Sequence, residues 1–290
     1  MKRIALFLLT NLAIMVTLSI VLSLLGVTGY ITPSGLDYSA LMVFCLVWGM
    51  GGAFLSLQLS RFIAKRAMGV KLVDGRTGRE ELDWLHRTVQ KLTQQAQLPM
   101  PEVGFYESAE VNAFATGPSR KRSLVAVSSG LLQSMRREEV EGVLAHEVTH
   151  IQNGDMVTMT LIQGVVNAFV MFFSRIIANI VRQMVDEKMA YLATMVTTIV
   201  LDIAFGAVGM MVVAWFSRAR EFRADAGGAA LAGRGNMIAA LQRLAANKEL
   251  VDTRQPALAT MKISGKKGWT AAFSTHPPLE ERIAALQSAR

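Results

Sequence analysis

The chain has 290 residues, 52% of them hydrophobic, and a mean hydropathy of +0.35, values above those of ordinary soluble domains that point to a membrane protein. Its formal charge of +8 raises nucleic acid as a partner, but the bases cluster at the ends of apolar segments, where anionic lipid headgroups are the simpler counterpart; nucleic acid is set aside. The single cysteine, Cys45, excludes an intrachain disulfide framework and fits a reducing compartment.

Residues 4–25 carry no formal charge and are long enough to cross a hydrocarbon core of about 30 Å as a helix. No small-residue cleavage site follows Leu25, so the stretch is read as an uncleaved span rather than a signal peptide. Residues 41–59 form a second such stretch. Lys2 and Arg3 precede the first, Arg61, Lys65 and Arg66 follow the second, and residues 26–40 between them carry only Asp37. Both ends of this hairpin, residues 1–66, are therefore expected in the cytoplasm.

Residues 67–155 form the first polar segment. Leu82, Leu85, Val89 and Leu92 predict an amphipathic helix over residues 80–96, on which His86 reads as a packing or surface histidine. "PEVGFYE" and "SLVAVSS" read as short strands. In "REEVEGVLAHEVTHIQNG", Val140, Val143, Leu144, Val148 and Ile151 recur at helical intervals, which places His146 and His150 one turn apart. At about 100° per residue they are offset by only about 40°, so both imidazoles point at one spot, as a zinc ion requires. Glu147 lies beside them, placed to act as the general base of an HExxH arrangement. That motif alone also occurs by chance in unrelated proteins, and a catalytic zinc needs a third protein ligand.

Two further apolar stretches, residues 156–173 and 190–216, form a second hairpin over residues 156–216. Arg175, Arg182 and Lys188 lie between them with Asp186 and Glu187, against the usual bias if both stretches cross; a hairpin that only dips into the membrane is the alternative. Asp202 interrupts the second stretch, and no role is assigned to it. Residues 217–290 form the second polar segment. In "SRAREFRADAGGAAL", Glu221 and Asp225 share a helical face, and a hairpin that goes out and returns brings Glu221 to the side of His146, completing a His, His, Glu set. Asp225 is placed to accept a hydrogen bond from a ligating imidazole. The alternative for both is an exposed helix end beside Arg218, Arg220 and Arg223. Residues 236–250 and 278–288 read as helices joined by a Lys- and Gly-rich loop. There is no internal repeat.

"NAFATG", "SLVAVSSGLL", "AHEVTHIQNGDMVTMTLIQGVVN", "WFSRAREFRADAGGA" and "THPPLEERI", together with "RIALFLLTNLA" near the start, resemble the HtpX family of bacterial heat-shock membrane metallopeptidases, relatives of the CAAX prenyl proteases. The resemblance runs essentially end to end. It implies one zinc per chain on His146, His150 and Glu221, Glu147 as catalytic base, and a gluzincin-type α+β domain, cytoplasmic and anchored in the bacterial inner membrane by four apolar helices in two hairpins. It implies quality control of misfolded or damaged membrane proteins in the stress response, with self-cleavage. His276 stands where a family histidine stabilises the tetrahedral intermediate; a plain loop histidine is the other reading. Asn112 lies in a region resembling the family's substrate edge, where a peptide adds as a strand. Arg223 stands where related sequences can carry histidine. The expected partners are membrane-protein and unfolded polypeptide substrates and the lipid bilayer; oligomeric state is not read from the sequence. Two other classes stay open: a membrane scaffold or transporter in which HExxH is incidental, which Asp202, Gln163 and Asn167 would suit, and a zinc hydrolase acting on non-peptide substrates.

Overall fold

The computed structural model describes residues 2–27, 29–32, 35–254 and 273–288; the Lys- and Gly-rich loop lies outside them. In chain order the elements begin with α1 (Lys2–Leu24), β1 (Ile31–Thr32), β2 (Gly35–Leu36), α2 (Tyr38–Leu46), α3 (Gly52–Met68), β3 (Lys71–Leu72), α4 (Glu80–Gln95) and β4 (Glu102–Tyr106). They continue with β5 (Ala113–Ser119), β6 (Arg122–Ser128), α5 (Ser129–Ser134), α6 (Arg137–Asn153), α7 (Asp155–Gln183), α8 (Glu187–Ala232), α9 (Arg234–Arg254) and α10 (Leu279–Ser288). The chain divides into two compact units: Met1–Leu57 with Thr158–Val213, and Gln58–Val157 with Ala214–Arg290.

In the first unit, Asp37 starts α2 by accepting hydrogen bonds from the backbone N–H groups of Ser39 and Ala40 at 2.9 and 3.0 Å. A π-helical turn, Val47–Gly51, joins α2 to α3. Among the described residues three helices are long and apolar enough to cross a membrane: Tyr38–Met68, α7 and α8. α1 supplies a shorter apolar stretch, Leu8–Leu24, so three helices of full length stand against the expected four. Large apolar side chains point outward, with Phe169 58% and Ile203 69% exposed, a surface suited to lipid rather than water. Arg175 and Asp202 face each other at 3.5 Å, so Asp202 has a partner on a neighbouring helix.

The second unit is built on a four-stranded sheet in the order β3-β4-β6-β5. β4 and β6 are parallel, while β3 and β5 run antiparallel to their neighbours, which leaves β5 at an edge. Leu85, Val89 and Leu92 of α4, Val103 and Phe105 of β4, Val125 and Val127 of β6, and Val140, Leu144, Val148 and Ile151 of α6 make one core. α4 places its apolar residues on a single face, as the spacing predicts. The same core anchors α6, the helix that carries the two histidines of the motif.

Two glycines set the approach of neighbouring helices. Gly154 ends α6 in the left-handed conformation, φ +70°, and its N–H caps the carbonyls of His150 and Ile151. The chain turns there, and α7 begins at once with Asp155 beside the last turn of α6. Gly227 lets α8 lie close to α6, since a Cβ at that position would collide with the side chain of Thr149.

Candidate metal centre

α6 carries His146, Glu147 and His150, and the close crossing of α8 brings Glu221 and Asp225 to them. His146 Nδ1 lies 2.9 Å from Asp225 Oδ1, and His150 Nδ1 lies 2.7 Å from Asp155 Oδ2. A carboxylate only accepts, so each Nδ1 carries a hydrogen, and in the neutral ring Nε2 then presents a lone pair. These Nε2 atoms are 3.0 Å apart. Glu221 closes the group, with Oε2 3.6 Å from His146 Nε2 and Oε1 3.4 Å from His150 Nε2. The three ligand atoms all lie within 4.8 Å of one another. Tetrahedral ligation at about 2.0–2.2 Å places donors about 3.3–3.6 Å apart, close to this spacing.

Burial sharpens the case. Glu221 is 1% exposed, and its Oε1 has no hydrogen-bond partner among the described residues. A buried carboxylate oxygen and two facing lone pairs are costly together unless a cation lies among them. The electrostatics agree. Burial disfavours the charged imidazoles, but Asp225 and Glu221 at His146, and Asp155 and Glu221 at His150, outweigh it; both are raised, His150 to about 9. Glu221 and Asp225 lie beyond Phe216, the last residue of the apolar run. Burial opposes the charge of Glu221 too, yet His146, His150 and His276 hold its carboxyl well below the usual range. The carboxylates that favour a proton on these rings favour a divalent cation in its place, and the donor set fits one.

The remaining expected residues fall as follows. Glu147 is half-buried next to His146 on α6, and its charge helps raise both imidazoles. His276 stands at the same group, Nδ1 3.0 Å from Glu221 Oε2, with its side chain 61% exposed. Asn112 is not among these side chains. It is exposed and immediately precedes edge strand β5, where it is bonded to Ser128 twice: Ser128 N–H donates to Asn112 O at 2.9 Å, and Asn112 N–H donates to the Ser128 side-chain Oγ at 3.1 Å. Arg223 reaches only to within 3.9 Å of Asp155 Oδ1 and is largely exposed.

Two residues of the group escape sequence reasoning. Asp155 reads only as the end of the polar segment, although Gly154 before it is the signal for a helix-ending turn that sets it against His150. Arg282 sits in "THPPLEERI" and gives no signal of its own among thirty basic residues. α10 docks on α9 through Leu286 against Met237 and Leu241, and this turns Arg282 inward. Its Nε and Nη2 donate to Asp225 Oδ2 and Oδ1 at 2.7 and 2.6 Å, and Nη1 lies 3.5 Å from Glu221 Oε2. The bidentate pair fixes Asp225, which in turn orients His146.

Known proteins share both the sequence and the fold. Residues 79–290 match peptidase family M48. The chain is 51% identical over 294 residues to Protease HtpX of Aeromonas salmonicida (strain A449), covering 99% of this chain and 100% of that one. It is 55% identical over 296 residues to the Protease HtpX homolog of Paracidovorax citrulli (strain AAC00-1), with 100% of both covered. In fold it is similar to S. mikatae Ste24p, with a TM-score of 0.62 at 20% identity, over 98% of this chain and 64% of that one. The chain therefore belongs to peptidase family M48, among the HtpX proteases, and is a membrane metallopeptidase.

Proposed function

We propose that the chain is a zinc endopeptidase that cleaves misfolded or damaged membrane proteins at the cytoplasmic face of the bacterial inner membrane, as part of a stress response. The observation that carries the reading is the convergence of His146, His150 and Glu221, with an acceptor behind each imidazole that fixes its tautomer. His146, His150 and Glu221 would hold the ion, and two nitrogens with one carboxylate are the donor set of hydrolytic zinc. Zinc bound there supplies a Lewis acid that lowers the pKa of water toward about 7 and polarises a peptide carbonyl. Glu147 accepts the proton of the attacking water and delivers it to the leaving amine. His276, partly exposed beside Glu221, is positioned to donate to the developing oxyanion. Asn112 opens the free edge of β5, where an extended substrate adds as a strand.

The four-helix reading is also part of this proposal. α1 serves as the fourth crossing, and residues 1–66 and 156–216 form the two membrane hairpins around a catalytic domain of residues 67–155 and 217–290. Basic residues at both ends of the first hairpin favour a cytoplasmic catalytic domain. The purified Glu147→Gln protein should retain zinc yet lose casein cleavage by about 10²–10⁴-fold, the usual worth of a general base. Cleavage at near wild-type rate would refute the assignment of Glu147, and a folded chain without metal would favour a scaffold over an enzyme.

A further inference from the structure

The turn between β5 and β6 is made of Arg120 and Lys121, and the next residue is Arg122; all three are exposed. The turn satisfies its own backbone: Arg122 N–H donates to Ser119 Oγ at 3.2 Å and Ser123 Oγ donates to Arg120 O at 3.2 Å. Its cationic side chains are thus presented on a fixed frame. Among the described residues, neither Arg120 nor Lys121 has an acidic group within ion-pair distance.

The fold places this tip where the sequence gives no hint of it. Arg122 Nη2 donates to Gln58 Oε1 at 3.2 Å, and Gln58 belongs to the closing turn of the apolar run over residues 41–59. One and two turns further along α3, Arg61 and Lys65 both reach Glu102, at 3.5 and 3.0 Å. Glu102 opens β4, opposite Leu124 of β6, so it marks the same end of the sheet as Arg122. Arg66 lies over the ring of Phe62, 5.7 Å from its centroid, and Phe62 is 50% exposed. Glu102 is thus shared by two bases; the β3–β4 ladder continues from Val73 N–H to Val103 O, so exposed Asp74 is a second acid toward this end, and the bases of α3 and the tip outnumber the two. An exposed aromatic ring accompanies these bases where an apolar helix ends, the pattern of a membrane–water boundary.

We propose that the β5–β6 tip, Arg120, Lys121 and Arg122, together with Arg66 of α3, is a docking site for anionic phospholipid headgroups. The tip rests on the lipid surface and holds the end of edge strand β5 there. Several cations spread over a rigid turn match an array of phosphates better than a single ion. The inference goes beyond the peptidase reading and holds whatever Glu147 does.

The test uses the full chain with Cys45→Ser and Lys121→Cys, labelled at residue 121 with a fluorophore and reconstituted into phosphatidylcholine vesicles with or without phosphatidylglycerol. With phosphatidylglycerol, the label should become quenched by headgroup-nitroxide lipid and protected from aqueous iodide. Adding Arg120→Gln and Arg122→Gln should weaken this preference by about fivefold per base removed, and high salt should abolish it. A second measurement keeps native Cys45 and Lys121 unlabelled: casein cleavage in vesicles should rise with phosphatidylglycerol for the natural chain. The chain with Arg120→Gln, Lys121→Gln and Arg122→Gln should show no such rise while matching it in detergent. Equal quenching in both vesicle types overturns the proposal. So does full reversal by millimolar inorganic phosphate or by an RNA oligomer, which would mean a free-anion or nucleic-acid site.

Discussion

The two halves of α8 obey opposite rules. Over the apolar run, residues 190–216, Ile203 and Trp215 are 69% and 60% exposed. Beyond Ser217 the same helix buries its carboxylates: Glu221 and Asp225 are each 1% exposed. One continuous backbone thus meets lipid with its apolar side chains and protein with its carboxylates. Burial of an ionised group is tolerated only with partners, and His146, His150, His276 and Arg282 supply them around the second half.

Substitutions at four sites probe this contrast, from the largest expected effect to the smallest. Arg282→Met should be the most damaging, because it leaves Asp225 buried without its bidentate partner; a loss of about 3–5 kcal/mol is expected in denaturant titration of the purified protein. Arg282→Lys should recover only part of it, since an ammonium cannot replace the fork. Leu144→Ala, in the core that holds α6, should cost about 2–5 kcal/mol. Asp155→Asn should weaken metal affinity by about 10–100-fold, read by competition with a chelating dye, while leaving the fold intact. Ile203→Ala, on the outward face of the same helix as Glu221, should change stability by no more than about 0.5 kcal/mol in lipid. If Ile203→Ala cost as much as Leu144→Ala, the outward face would be a packed interface and the contrast would fail.

Much of the metal group is legible in the sequence because helical spacing is simple arithmetic. His146 and His150 have to share a face of α6, and Glu221 can return to them because two apolar runs separate it from the motif. Arg282 is not legible, since its inward turn depends on α10 docking against α9, a contact between segments far apart in the chain. β5 also escapes recognition as a strand. "AFATGPS" contains a Gly-Pro pair that argues against a strand, yet an edge position tolerates proline, and the register shifts between Thr116 and Ser119. The continuity of α8 is hidden for another reason. The change from apolar to polar side chains at Ser217 suggests a boundary, but composition can change along a helix without any residue that breaks it.

The irregularity in β5 has a consequence for solubility. An unpaired strand edge is a template on which other chains can stack. Here regular pairing with β6 covers only residues 113–116, from Ala113 opposite Val127 to Thr116 opposite Leu124, before Gly117 and Pro118 interrupt it. The shortness of this ladder, the proline and the basic turn beyond it discourage the sheet from growing into a polymer.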